Sequence, residues 1–154
     1  MFDITLVIFT SDNGPSPLIL DVAKDYKHLP MSHLRGMKWD MWEGGHRVPF
    51  VTSWPNGKIM GGKKIDKLVS LTDLFATIAS IVDYKIPLGS AEDSYNIFPT
   101  LIKGETVRKE MVYHQGNGKL GLRKNNWVYL RGSGGRKHPQ WFLELQEIQS
   151  TNSP

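Results

Sequence analysis

Apolar side chains follow one another almost without interruption over residues 4–9 (Ile-Thr-Leu-Val-Ile-Phe), and such β-branched runs read as a strand covered on both faces, typically an interior parallel strand. Parallel neighbours require crossovers of a dozen or more residues. None can precede residue 4, so the strand is expected to lie in mid-sheet and the chain to be the C-terminal part of something longer. Residues 48–54 return to strand composition between Pro49 and Pro55. The clearest helix is predicted over residues 70–83, where Leu71, Leu74, Phe75, Ile78 and Val82 share one face and Ser70 with Asp73 forms an N-terminal cap pattern. A shorter helix is expected within 18–28, an ordered loop over 29–47 and another over 84–109, punctuated by Pro87, Gly89, Pro99 and Gly104. Residues 111–114, 120–130 (broken at Asn125 and Asn126) and 141–145 read as strands of a small antiparallel sheet.

Composition narrows the chemistry. Cysteine is absent from the 154 residues, which removes disulfides, thiolate metal sites and a cysteine-derived nucleophile. The formal charge is +4, distributed as −1 over residues 1–100 and +5 over 101–154. Those basic groups are scattered among glycines and strand-like residues, so an anionic ligand fits better than nucleic acid, which is not expected as a partner. No apolar run approaches the ~20 residues of a membrane-spanning helix, and no membrane partner is expected.

Asp12 and Asn13 stand just past the carboxyl end of the first predicted strand, where open α/β sheets place ligand sites. A carboxylate beside an amide carbonyl offers hard oxygen donors suited to Ca²⁺ or Mg²⁺. Asp-Asn-Gly is equally the composition of a tight turn. Residues 34–49 gather Gly36, Gly44, Gly45, Arg35, Lys38, Arg47, Trp39 and Trp42, a set that lets backbone approach a ligand while Lys38 or Arg47 neutralises an anion. The alternative is a structural Arg47–Glu43 ion pair with both indoles in the core. Gly116, Gly118 and Gly121 match a dinucleotide fingerprint in spacing only, because the following residues read as a hairpin rather than a helix. His28, His33, His46 and His138 show no metal-ligand spacing and are expected in surface or loop roles.

Four segments in series, Leu6-Val-Ile-Phe-Thr-Ser-Asp-Asn-Gly14, Leu34-Arg-Gly-Met-Lys38, Trp42-Glu-Gly-Gly-His-Arg-Val-Pro-Phe50 and Ser70-Leu-Thr-Asp-Leu-Phe-Ala-Thr77, closely resemble the C-terminal half of the arylsulfatase-type sulfatases. The likeness continues more weakly through Ala91-Glu-Asp-Ser94, Tyr113-His-Gln-Gly-Asn-Gly118 and Leu122-Arg-Lys-Asn-Asn-Trp127. It implies an α/β fold, the C-terminal part of an alkaline-phosphatase-like sandwich with a small C-terminal antiparallel sheet. Residues 1–105 would be the incomplete α/β domain and 106–154 the small subdomain. By the same resemblance Asp12 and Asn13 match divalent-cation ligands, usually for Ca²⁺, with Mg²⁺ the alternative. Lys38 matches a lysine that contacts the sulfate and helps stabilise the departing oxygen, and His114 is a candidate for facing a substrate group.

The implied activity is sulfuric ester hydrolysis, on a sulfate ester such as a sulfated carbohydrate. The family nucleophile, a formylglycine made within Cys/Ser-x-Pro-x-Arg, has no counterpart in this sequence, so the chain alone is expected to be inactive. The competing expectation is a non-catalytic sulfated-glycan-binding or structural module. Self-association through an exposed sheet edge is expected as well. The resemblance implies a periplasmic, extracellular or lysosomal setting, which nothing in the residues themselves specifies.

Overall fold

In the computed structural model, which describes residues 2–151, a turn of 3-10 helix at Phe2–Ile4 leads into strand β1 (Val7–Thr10). β1 pairs with β2 (Phe50–Ser53) in a two-stranded sheet. The apolar run is therefore shorter than the pattern predicts, and it is not covered on both faces: Phe2, Ile4, Val7 and Phe9 are all exposed. Alternate strand residues point to opposite sides; Leu6 and Phe50 pack towards the core of Ile59, Ile97 and Leu101, whereas Val7, Phe9 and Val51 face outward.

The described residues divide into two compact units, each built from three stretches of chain. The first comprises residues 1–9, 50–111 and 123–127. Its principal helix, α3 (Asp73–Ile81), starts later than the predicted residue 70 because residues 70–72 form the capping turn. The Asp73 carboxylate accepts from the backbone N–H of Ser70 at 2.8 Å, the reciprocal half of a capping box. Within the stretch expected to be loop lies α4 (Phe98–Lys103). Pro99 in its first turn and Gly104 at φ +73° just beyond its end are helix start and stop signals, not loop punctuation.

The second unit comprises residues 10–49, 112–122 and 128–154. It holds α1 (Leu20–Tyr26) and the single turn α2 (Glu43–His46), and its core gathers Ala23, Leu29, Met31, Met37 and Phe142. Phe142 belongs to α5 (Gln140–Thr151). That helix replaces the strand expected at 141–145: Phe142 N–H donates to Pro139 O at 3.0 Å, starting a helical turn, and a short apolar run does not by periodicity distinguish strand from helix. Strands β3 (Glu110–His114), β4 (Leu120–Lys124) and β5 (Trp127–Leu130) form a sheet in that order through two hairpins. Asn125 takes φ +53° in the second turn, a conformation Asn tolerates. Among the described residues, no helix is long and apolar enough to cross a membrane.

Candidate functional site

The site is assembled in the second unit from two loops and a glycine junction. Residues 11–14 turn sharply after β1, with Ser11 Oγ donating to Asn13 O at 2.9 Å and Asn13 Nδ2 donating to Gly14 O at 2.9 Å. Holding Nδ2 in this way leaves the Asn13 carbonyl oxygen as the donor atom for a cation. Asp12 is exposed, and among the described residues its carboxylate makes no hydrogen bond or ion pair.

Backbone hydrogen bonds join this turn to the glycine-rich loop. Gly14 N–H donates to Gly45 O at 2.9 Å, Lys38 N–H to Pro15 O at 2.9 Å, and Gly44 N–H to Arg35 O at 2.7 Å. The approach is close enough that a Cβ on Gly14 would collide with Gly44 O, and one on Gly44 with Gly36 O. The glycines serve packing of one loop on the other, since a methyl group at either position would separate the two chains.

Asp40 holds the Lys38 turn from beneath. Its fully buried carboxylate accepts from Met37 N–H at 3.0 Å and Arg136 N–H at 2.9 Å, and lies 2.8 Å from His138 Nε2. Met41 N–H donates to Gly134 O at 2.6 Å. The basic segment 134–138 is thereby tied to the loop, and Arg136 Nη2 reaches Lys38 O at 3.4 Å. His138 lies in a loop, one of the two roles expected for it, but its side chain is only 6% exposed and packs on Phe142 at a ring separation of 4.9 Å.

Of the two indoles weighed for the core, Trp39 departs from it at 53% exposed, whereas Trp42 is part-buried against Gly134 and Gly135 with the Arg35 guanidinium carbon 3.8 Å from its ring centre. The Arg47–Glu43 ion pair does form, at 3.3 Å. His114 is exposed, with Nδ1 3.3 Å from the carbonyl of Gln115, and begins the turn whose Gly116 adjoins Trp39. His46 stacks at 4.2 Å on Tyr113.

Lys38 and the turn of Asp12 and Asn13 are thus tied together by main-chain hydrogen bonds, whereas His114 approaches only through its loop. Asp40, Arg136 and His138 carry no local motif. Their partnership spans 96 to 98 positions, so only the isolated acid inside a glycine-rich basic loop hinted at it. As a metal site the arrangement is partial: Asp12 and Asn13 suit a hard cation, but among the described residues no three His, Asp or Glu side chains gather to hold one.

Comparison with solved structures places this architecture in the alkaline-phosphatase-like α/β fold. A structure from work on how Bacteroides thetaiotaomicron metabolises multiple glycosaminoglycans superposes with a TM-score of 0.77 at 34% identity, over 91% of this chain and 30% of its own. The Sulfatase family model matches residues 2–84, more than half of the chain, and the chain belongs to that family. Among curated relatives, the N-acetylgalactosamine-6-O-sulfatase of Bacteroides thetaiotaomicron is 34% identical over 91% of this chain and 30% of its own length. The N-acetylgalactosamine-6-sulfatase of Mus musculus is 36% identical over 73% of this chain and 21% of its own. The chain therefore spans less than a third of each of these relatives. Asp12, Asn13 and Lys38 fall inside the family match; His114 lies beyond it.

Proposed function

We propose that this chain supplies the cation and sulfate half of a sulfuric ester hydrolase site acting on a sulfated sugar. Asp12 and Asn13 would contribute oxygen donors to a bound Ca²⁺, with Mg²⁺ the alternative, and Lys38 would contact the sulfate. One observation carries the reading: the Lys38 N–H bond to Pro15 O and the Gly14 N–H bond to Gly45 O tie the oxygen-donor turn to the lysine loop within one compact unit. The relatives' names supply the substrate class, N-acetylgalactosamine 6-sulfate in both cases.

Sulfate ester cleavage spreads negative charge over the sulfuryl oxygens and the departing alcohol oxygen. A divalent ion, when bound, supplies charge neutralisation to those oxygens. Lys38 offers a compact side-chain ammonium with three donors for the same anion, and Asp40 fixes the turn that carries it. His114 would add a donor or acceptor at the substrate's edge. No Cys/Ser-x-Pro-x-Arg segment occurs among these 154 residues; the part they would supply is binding and neutralising the anion. The same residues would serve a second reading, a sulfated-glycan-binding module.

Calorimetric titration of the full chain with N-acetylgalactosamine 6-sulfate, with and without Ca²⁺, tests both. Ca²⁺ alone should bind weakly, because two protein donors are far short of the six to eight that Ca²⁺ takes. Asp12→Ala should abolish the Ca²⁺ effect, and Lys38→Ala should weaken sulfated-sugar binding by about tenfold. Submicromolar Ca²⁺ affinity, or hydrolysis of an aryl sulfate by the pure chain, would contradict the half-site reading. Ca²⁺-dependent retention on a sulfated polysaccharide without hydrolysis would favour the binding module.

A further inference from the structure

Trp39 combines two features that its surroundings do not require. It adopts φ +79°, a left-handed conformation in which a bulky side chain is a true outlier, and its indole is 53% exposed. Burial does not compensate for either. Backbone strain of this kind concentrates at ligand sites.

The indole is nevertheless held in place. The Arg136 guanidinium carbon lies 5.1 Å from the ring centre, within cation–π range. At the ring edge, a Cβ built on Gly116 would be 3.6 Å from Trp39 Cδ1. Arg136 is anchored through its backbone N–H to the buried Asp40 and through Nη2 to Lys38 O, while its side chain keeps 39% exposure. Arg136 Nε faces Asp40 Oδ1 at 3.8 Å, an ion pair longer than a hydrogen bond, and Nη2 gives one N–H to Lys38 O, so Nη1 and the second Nη2 N–H remain as donors for an anion. Trp39 follows Lys38 directly in the chain, which sets an aromatic plate and a second cation beside the lysine assigned to the sulfate.

We propose that Trp39 and Arg136 form an acidic-sugar subsite next to Lys38, the indole stacking on the apolar face of a sugar ring and the guanidinium pairing with a carboxylate or second sulfate on it. This rests on the reading of Lys38 as the sulfate contact. An indole suits the C–H face of a pyranose because the ring presents a flat, electron-rich, weakly hydrated surface. Arg136 adds selectivity for sugars bearing an anion, since bidentate pairing with a carboxylate or sulfate is the geometry its fork matches.

The test uses the full 154-residue chain with three probes followed by NMR titration: inorganic sulfate, N-acetylgalactosamine 6-sulfate, and a uronate-containing chondroitin 6-sulfate disaccharide. Trp39→Gly is the informative variant, because glycine accepts the positive φ and the fold is kept; matching amide spectra away from the loop verify this. Its affinity for the disaccharide should fall about tenfold while that for inorganic sulfate stays within about twofold. Arg136→Gln should reduce the preference for the disaccharide over the monosaccharide by about fivefold. Saturation transfer from the indole to sugar ring protons should vanish in Trp39→Gly. Unchanged disaccharide binding by Trp39→Gly, or no binding of the disaccharide to the wild type at about 10 mM, overturns the subsite. If Lys38→Ala weakens all three probes and Trp39→Gly none, the Lys38 assignment stands and the subsite falls. If only Trp39→Gly weakens the sugars, the subsite stands and the Lys38 assignment falls.

Discussion

The buried pair of Asp73 and Arg108 is the most consequential polar contact in the first unit, and its removal has a calculable cost. Asp73 is fully buried and Arg108 is 4% exposed. Arg108 Nη2 lies 2.6 Å from Oδ1, and Nε lies 2.9 and 3.2 Å from Oδ2 and Oδ1. The guanidinium also donates to Asp93 O at 2.7 Å and Glu110 O at 3.2 Å and sits 4.5 Å from the Tyr95 ring centre. Its hydrogen bond to Asp73, reinforced by the negative charge, raises the Arg108 pKa above the ordinary arginine value against the opposing effect of burial. A raised pKa on a cation gives stability that is present below the unfolded value and lost only as pH rises through the folded one. The arginine therefore stays charged and its contribution is present at neutral pH.

Arg108→Met would leave a buried carboxylate with only the N–H groups of Ser70 and Tyr95, and two backbone carbonyls would lose their donor. Breaking a buried pair from one side costs about 3–5 kcal/mol. At about 2–4 °C per kcal/mol for a chain of this size, that is a fall in Tm of roughly 6–20 °C. Asp73→Asn should cost a comparable amount, because the amide nitrogen must face either the Ser70 and Arg108 Nε donors at Oδ2 or the Tyr95 and Arg108 donors at Oδ1. Urea unfolding of both single variants and the double variant, followed by circular dichroism, gives the coupling directly. The double variant should be more stable than the sum of the singles by about 1–3 kcal/mol. A loss below about 1 kcal/mol for Arg108→Met, or strict additivity, would refute the assignment of this pair as a mutually dependent buried contact.

Three further outcomes follow from particular contacts. Gly44→Ala should destabilise the second unit by about 2 kcal/mol or more and broaden the Lys38 and Gly14 amide resonances, since the added methyl meets Gly36 O; an unchanged melting curve would show that the loops separate freely. Glu110 and Lys124 pair at 2.9 Å on the surface, lowering the carboxyl below 4.5 and raising the ammonium above 10.5, each chiefly through their hydrogen bond. The pair's contribution is present between those ordinary values, is lost as pH falls through the depressed Glu110 pKa or rises through the elevated Lys124 pKa, and should shrink with salt, so Lys124→Gln and wild type should melt alike at high ionic strength. Exposed Phe2, Ile4, Val7, Phe9 and Val51 should make the isolated chain self-associate or bind a hydrophobic dye; a monodisperse monomer in sedimentation that binds no dye would contradict this.

Local codes carried much of the architecture. The helix over residues 73–81 follows from apolar spacing and the Ser70 and Asp73 cap, and the second hairpin follows from Asn125 and Asn126 between two strand-like runs. Asp12, Asn13 and Lys38 stand in segments whose residue order is recognisable without coordinates. The strand expected at 141–145 failed because four apolar residues contain too little periodicity to tell strand from helix, and Phe142 is buried from a helix.

What short-range pattern could not contain is the support beneath the loop. Asp40 receives its partners from residues 136 and 138, nearly a hundred positions away, and nothing in either segment encodes that meeting. The exposure of Trp39 and the arginine over its face depend on the same encounter. Periodicity and turn chemistry act over a few residues, so they specify elements. A buried carboxylate satisfied by donors from distant chain exists only once those elements have packed, because its free energy comes from desolvation and geometry that no single segment possesses.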